Sequence, residues 1–169
     1  MERIPMLPQD IEATAENVIG HAIRAGLMIA TAESCTGGLV AGALTAIAGS
    51  SAVVDRGFVT YSNEAKMEML GVPQDVLARF GAVSEPTARA MAEGAKANSR
   101  AQIAVSVTGI AGPGGGSDDK PVGLVHFAIA GPEGSVVHVE KRFGAIGRDQ
   151  VRLESVRIAL GLLLDAAAR

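Results

Sequence analysis

Aromatic residues are scarce in this sequence, which contains four Phe, one Tyr and no Trp among 169 residues. Modules that bind single-stranded nucleic acid stack bases on aromatic side chains and track the phosphates with a basic surface. The formal net charge here is -3 at pH 7. We therefore expect no nucleic-acid partner, and a core built mainly from Ala, Val, Ile and Leu.

Cysteine is also scarce, because Cys35 is the only one. A single thiol excludes an intramolecular disulfide and fits a reducing compartment. The first ten residues include two Pro and no apolar segment, so we expect no signal peptide and a cytoplasmic location. The longest uncharged stretch, residues 34–54, contains four Gly, which favours a buried helix with polar ends over a membrane span. We expect no membrane partner.

Length and composition predict a single globular domain over residues 1–169, with residues 1–8 as a short leader. The hydrophobic patterns predict the element order α-β-α-β-α-α-β-β-β-α. Parallel strands require helical crossovers, whereas a hairpin adds antiparallel neighbours. We therefore predict an α/β fold, a three-layer α/β/α sandwich with a mixed β-sheet.

Element boundaries follow from apolar periodicity and from Gly, Pro and capping residues. The predicted helices cover residues 8–25, 39–47, 62–70 and 84–98 and a final segment containing residues 153–164. The predicted strands cover residues 27–32, 53–61, 103–107, 122–130 and 135–143, of which the last two form a hairpin.

Polar clusters follow three of the predicted strands, at residues 33–38, 61–66 and 108–120. Ligands of α/β sheets bind outside the carboxyl ends of the strands. We therefore expect these three clusters to face one cleft.

The glycine-rich loop from Gly109 to Lys120 matches no standard nucleotide motif. A Walker loop requires a Gly-Lys pair, but Lys120 follows Asp119. The last glycine of a GxGxxG pattern is replaced by Ser117 or Asp119, depending on the starting glycine. The histidines, His21, His126 and His138, lack the spacing of metal ligands. We predict no metal site and no cofactor.

Ser34 lies where a predicted strand turns into a helix. There the free backbone N–H groups of the turn can stabilise an oxyanion or a phosphate, and Gly37 and Gly38 allow a ligand to approach closely. The alternative is that Ser34 or Thr36 only caps the helix, and spacing alone favours that interpretation.

A serine nucleophile needs a base, and the sequence shows no evident Ser-His-Asp set. Lys66 can accept the proton if burial keeps its amine neutral, and Tyr61 can relay the proton. Each also has a structural interpretation, Lys66 as a solvated helix residue and Tyr61 as an edge-strand aromatic. Cys35 is a rival nucleophile, although a lone buried thiol beside a helix start more often serves packing.

Arg148 and Arg152 are one helical turn apart at the start of the predicted last helix. Together they can clamp an anionic group such as a phosphate. Asp149 and Glu154 make a surface ion-pair network an equally fair interpretation. Arginine opposes the dipole at a helix N-terminus, which favours a ligand role slightly.

Several ordered segments together resemble the CinA C-terminal domain family, the competence/damage-inducible group. The segments are residues 31–38 (TAESCTGG), 49–51 (GSS), 56–66 (RGFVTYSNEAK), 81–85 (GAVSE), 108–113 (TGIAGP) and 120–123 (KPVG). The resemblance extends from about residue 8 to the end of the chain. It implies a three-layer α/β fold and hydrolysis of the carboxamide of nicotinamide mononucleotide to nicotinic acid mononucleotide and ammonia.

The resemblance also implies roles for individual residues. Ser34 is the expected nucleophile, with Lys66 and Tyr61 as its activating partners. The expected substrate-binding residues are Thr36, Gly37, Gly38, Thr108, Gly109, Gly112, Gly115 and Arg148. Arg148 is expected in the phosphate-binding region.

Two alternatives remain beside this nucleotide amidase. One is a non-catalytic module that holds a nucleotide or phosphorylated ligand in a competence or damage response. The other is an amidase of the same mechanism that acts on another small amide. The expected partner is a small-molecule nucleotide, and Ala-rich helix surfaces permit a homo-oligomer.

Overall fold

The computed structural model describes residues 4–169, which form six helices and five strands. The helices are α1 (Gln9–Ala25), α2 (Leu39–Thr45), α3 (Asn63–Leu70), α4 (Gln74–Phe80), α5 (Glu85–Ala97) and α6 (Arg148–Ala167). The strands are β1 (Ile29–Glu33), β2 (Val54–Val59), β3 (Ile103–Gly109), β4 (Leu124–Ala130) and β5 (Val136–Arg142). A single 3-10 turn, Ser50–Ala52, precedes β2.

The strands form one mixed sheet in the order β2-β1-β3-β4-β5. β1 pairs in parallel with β2 and β3, whereas β3, β4 and β5 pair antiparallel. Helices α1, α2 and α6 pack together on one face, and α3, α4 and α5 lie on the other. The predicted three-layer α/β/α sandwich with a mixed sheet is confirmed.

The two faces of β3 explain how the layers pack. Ile103, Val105 and Val107 point into the larger core beneath α1 and α6. Small and hydroxylated residues alternate with them, and Ser106 donates a hydrogen bond to the Ala88 carbonyl of α5 (2.6 Å). Because small side chains occupy this second face, α5 lies close to the sheet.

Close packing on that face also requires one glycine. A Cβ at Gly94 of α5 would collide with the backbone carbonyl of Leu70, at the end of α3. This contact fixes α3 against α5, and α3 carries Lys66.

The sequence-based boundaries agree closely with the structure, with three differences. The predicted strand 27–32 lies at Ile29–Glu33, so Glu33 belongs to β1 rather than to the turn after it. Helix α4 was not predicted, because seven residues are too few to show a period, although Pro73 and Gly81 flank it. The uncharged stretch 34–54 is not one buried helix, since glycines divide it into a turn, α2 and the 3-10 turn.

Candidate active site

The three polar clusters meet at one edge of the sheet, as their position after β1, β2 and β3 predicts. These three strands run parallel, so their carboxyl ends lie side by side. A cavity of about 210 Å³ opens there. It is lined by Ser34, Cys35, Tyr61, Lys66, Ala82, Val83, Thr108, Gly109, Ala111 and Arg148.

Ser34 follows directly after β1, whose end is held between two neighbouring strands. The Ser34 N–H donates to the Val107 carbonyl of β3 (2.9 Å), and the Thr60 N–H donates to the Glu33 carbonyl (2.9 Å). These bonds fix both sides of the peptide group between Glu33 and Ser34. The hydroxyl therefore has a defined position at the cavity wall.

Lys66 approaches Ser34 from the first turn of α3. Ser62 caps this helix, since its Oγ accepts a hydrogen bond from the Ala65 N–H (3.0 Å). Lys66 is 1% exposed, and its Nζ lies 3.0 Å from Ser34 Oγ. Lys66 is therefore not a solvated helix residue.

The surroundings of Lys66 favour a neutral amine. Its Nζ donates to the carbonyls of Thr60 (2.8 Å) and Tyr61 (3.4 Å), and within residues 4–169 no carboxylate forms an ion pair with it. Burial lowers the pKa of the Lys66 ammonium below its usual value of 10.5. A neutral amine has two N–H donors and one lone pair. If the amine is neutral, the two carbonyls accept its two donors, and its lone pair is left to accept from the Ser34 hydroxyl.

Cys35 lines the same cavity but is a poor nucleophile. The thiol is 6% exposed. Burial raises the pKa of the Cys35 thiol to about 12. Since the thiolate is the reactive form, Cys35 stays protonated and unreactive at neutral pH.

Tyr61 and Arg148 form the outer wall of the cavity. Tyr61 is 64% exposed, and its hydroxyl lies 3.2 Å from Nη2 of Arg148. Arg148 also donates from Nη1 to the Gly112 carbonyl (2.8 Å). Tyr61 thus meets Lys66 through its backbone carbonyl and meets Arg148 through its hydroxyl.

The end of β3 and the loop after it supply the remaining wall. Thr108 is buried and donates from Oγ1 to the Ala82 carbonyl (2.8 Å). Gly109 lines the cavity, whereas Gly112 contributes the carbonyl that orients Arg148. Gly115 lies farther along the loop, outside the lining residues.

The turn from Ser34 to Gly38 is held by two charged residues. The Glu33 carboxylate accepts hydrogen bonds from Thr36 Oγ1 (2.6 Å) and from two N–H groups of α2. Arg152 donates to the carbonyls of Cys35 (3.1 Å) and Thr36 (3.4 Å). The Thr36 side chain is therefore engaged within the protein, and neither Thr36, Gly37 nor Gly38 lines the cavity.

A sequence profile of the CinA C-terminal domain matches residues 11–167. This chain belongs to the CinA C-terminal domain family. A protein named nicotinamide-nucleotide amidohydrolase PncC, from Escherichia coli (strain K12), is 53% identical over 146 residues, which are 86% of this chain and 88% of that protein. A putative competence-damage inducible protein from Caldicellulosiruptor bescii is 51% identical over 156 residues, or 91% of this chain.

This CinA-family chain spans only 37% of the length of the Caldicellulosiruptor bescii protein. A crystal structure of the competence/damage inducible protein CihA from Agrobacterium tumefaciens superposes on it with a TM-score of 0.95 and 60% identity. That match covers 96% of this chain and 99% of the other.

The sequence interpretation of this CinA domain missed two aspects of the site. Glu33 was assigned to a polar turn, but it is the last residue of β1, whose five residues are all buried. Arg148 and Arg152 were paired as one clamp, but the structure separates them. Arg148 faces the cavity, whereas Arg152 binds the turn.

Beyond this cavity, the described residues of the CinA domain provide no comparable set of reactive side chains in a second cavity, a metal site or a membrane-spanning helix. A larger cavity, of about 360 Å³, lies at the opposite edge of the sheet, beside Leu27 and Asp165, and its lining contains neither Lys nor His. Among residues 4–169, no group of three His, Cys, Asp or Glu is arranged to hold a metal ion. No helix in the described part of the chain is long and apolar enough to cross a membrane.

Proposed function

We propose that this chain is a nicotinamide mononucleotide amidohydrolase that uses Ser34 as its nucleophile and neutral Lys66 as its base. The observation that carries the proposal is the 3.0 Å distance between Lys66 Nζ and Ser34 Oγ in a buried site where no carboxylate of residues 4–169 pairs with the amine. The similarity to the protein named PncC supports the choice of substrate. The products are nicotinic acid mononucleotide and ammonia.

The first half of the reaction forms an acyl-enzyme. Ser34 Oγ attacks the carboxamide carbon while its proton passes to the lone pair of Lys66 Nζ. The tetrahedral intermediate collapses, the C–N bond breaks, and Lys66 returns the proton to the leaving nitrogen, which departs as ammonia.

The second half releases the acid. A water molecule gives a proton to Lys66 and attacks the acyl carbon, the bond to Ser34 Oγ breaks, and Lys66 reprotonates the serine. The ester of Ser34 is thereby hydrolysed, and the dyad returns to its starting state. One amine therefore serves both steps as base and then acid.

Tyr61 supports this dyad through its backbone carbonyl. Its hydroxyl lies on Arg148, 3.2 Å from Nη2, which favours direct proton transfer between Ser34 and Lys66 over a relay through the tyrosine. The position of Arg148 at the cavity wall supports a role in binding the substrate phosphate.

The oxyanion needs N–H donors that are not already engaged. The N–H of Ser34 donates to Val107, and that of Gly37 donates to the Ser34 carbonyl. Glu33 occupies the N–H groups of Val40 and Ala41 in α2. Among the remaining N–H groups of the turn, we assign the oxyanion to that of Cys35, because Cys35 lines the cavity.

The test is ammonia release from nicotinamide mononucleotide by the purified chain and by Ser34→Ala. We expect steady release by the wild type and a loss on the order of 1,000-fold in the variant. A folded wild type that binds nicotinamide mononucleotide without releasing ammonia would establish the binding module instead. Release from another small amide, but not from the nucleotide, would retain the mechanism and change the substrate.

A further inference from the structure

Glu33 is a fully buried carboxylate that takes no part in the proposed proton transfers. It is 1% exposed and occupies the last position of β1, directly before Ser34. Burying a carboxylate costs free energy unless hydrogen bonds compensate for the lost water. The residues that compensate Glu33 therefore indicate what the charge does.

All the hydrogen bonds recorded for this carboxylate come from the turn and helix that follow Ser34. Oε1 accepts from Thr36 Oγ1 (2.6 Å) and from the Val40 N–H (2.8 Å), and Oε2 accepts from the Ala41 N–H (3.1 Å). Within residues 4–169 Glu33 forms no ion pair with Lys66. The charge is thus directed away from the amine, whose pKa it would otherwise raise.

Glu33 also substitutes for the missing cap of α2. The N-cap residue of this helix is Gly38, which has no side chain to accept a hydrogen bond. The Glu33 carboxylate accepts hydrogen bonds from the N–H groups of the second and third residues of the helix, as an N-cap side chain does. Its negative charge lies at the positive end of the helix dipole, where it is stabilising. The carboxylate therefore joins β1 to α2 across the turn that holds Ser34.

We propose that Glu33 is a positioning residue for Ser34, an inference that rests on the proposed function. Its carboxylate clamps the turn so that the Ser34 hydroxyl meets the lone pair of the buried Lys66 amine. Without the clamp, Ser34 Oγ moves away from Lys66 Nζ and water reaches the amine. A hydrated Lys66 has a higher pKa, so the clamp sets both the rate and the pH at which the amine becomes active.

The experiment uses p-nitrophenyl acetate as a probe that needs no nucleotide. Ser34 attacks the acetyl carbon, its proton passes to Lys66, and p-nitrophenolate leaves and is measured. The burst rate is recorded against pH for the wild type, Ser34→Ala, Glu33→Gln and Thr36→Val. Glu33→Gln replaces one acceptor oxygen by an N–H donor, and Thr36→Val removes only the 2.6 Å bond.

We expect the Glu33→Gln burst to be slower by a factor on the order of 100, as a misplaced reacting group commonly is. We expect the Thr36→Val burst to be about tenfold slower, because this variant loses one buried hydrogen bond to a charged group. The acid limb of the pH profile is the part where the burst rate rises as Lys66 loses its proton. In both variants this limb moves to higher pH. The matched control is Ser106→Ala, which removes a buried hydrogen bond of 2.6 Å outside the turn and leaves the limb in place.

The outcomes separate the inference from the function on which it rests. A wild type that releases p-nitrophenolate no faster than Ser34→Ala removes the proposed nucleophile. A Ser34-dependent burst whose rate and acid limb are unchanged in Thr36→Val and in Glu33→Gln overturns the positioning role alone. If Glu33→Gln does not fold, as judged by its thermal unfolding, Thr36→Val decides the question by itself.

Discussion

Lys66 Nζ lies 3.0 Å from Ser34 Oγ, although 32 positions separate the two residues in the chain. Ser34 follows β1 and Lys66 is in the first turn of α3, which follows β2. Because β1 and β2 are parallel neighbours, the segments after them meet at one edge of the sheet. The proximity of Ser34 and Lys66 is therefore a consequence of the strand order.

The pH dependence of stability tests the buried amine without any substrate. The folded-state pKa of Lys66 is lowered, while in the unfolded chain it stays near 10.5. Between those two pKa values the unfolded chain binds more protons, so stability rises with pH, by at most about 1.4 kcal/mol per pH unit. We expect the free energy of unfolding of the wild type to rise relative to that of Lys66→Met as pH approaches 10.5.

Denaturant titrations between pH 7 and pH 10 measure this difference. Lys96→Met is the matched control, because Lys96 is only partly buried and donates to a single carbonyl, that of Gly131 (2.7 Å). Lys96→Met shows how the loss of a lysine hydrogen bond outside the cavity affects the free energy of unfolding. If the difference in the free energy of unfolding between the wild type and Lys66→Met does not change with pH, the pKa of Lys66 is not lowered in the folded protein.

The two arginines at the start of α6 should have separable kinetic effects. Arg148→Ala removes a cation from the cavity wall, so we expect KM for nicotinamide mononucleotide to rise about tenfold or more with a smaller change in kcat. Arg152→Ala releases the carbonyls of Cys35 and Thr36, so we expect mainly kcat to fall. Steady-state kinetics of both variants measure these effects. Equal increases in KM would instead support the hypothesis that Arg148 and Arg152 bind one anionic group together.

Tyr61→Phe distinguishes direct proton transfer from a tyrosine relay. The substitution removes the hydroxyl that contacts Arg148 and keeps the backbone carbonyl that contacts Lys66. With Lys66 as the direct base, kcat should stay within roughly threefold of the wild type, and KM should rise modestly. A fall in kcat comparable to that of Ser34→Ala would assign the proton transfer to the hydroxyl.

Much of this fold could be predicted because its central elements have strong local patterns. The buried runs of β3 and β4 are almost continuously apolar, and α1 has apolar residues at a clear helical period. Helix α4 could not be found in this way, since it makes only two turns and buries only Leu77. Its position depends on contacts with α5 that the local sequence does not specify.

The site was predictable only to the level of which segments meet. Polar clusters after parallel strands indicated a shared cleft, and the family resemblance then favoured Ser34 over a simple helix cap. The direction of each side chain was not encoded in the spacing. Thr36 turns inward to Glu33, and Arg152 reaches the turn while Arg148 faces the cavity. Such distinctions depend on packing between elements distant in sequence.

The most direct test of the Ser34–Lys66 dyad is kcat/KM for nicotinamide mononucleotide in Ser34→Ala, Lys66→Met and the double variant, with Lys96→Met as the control. If the two residues act as one unit, each single variant should lose on the order of 1,000-fold, and the double variant should lose no more than either. Lys96→Met should match the wild type. A folded Lys66→Met that retains near-wild-type turnover would contradict the proposed mechanism.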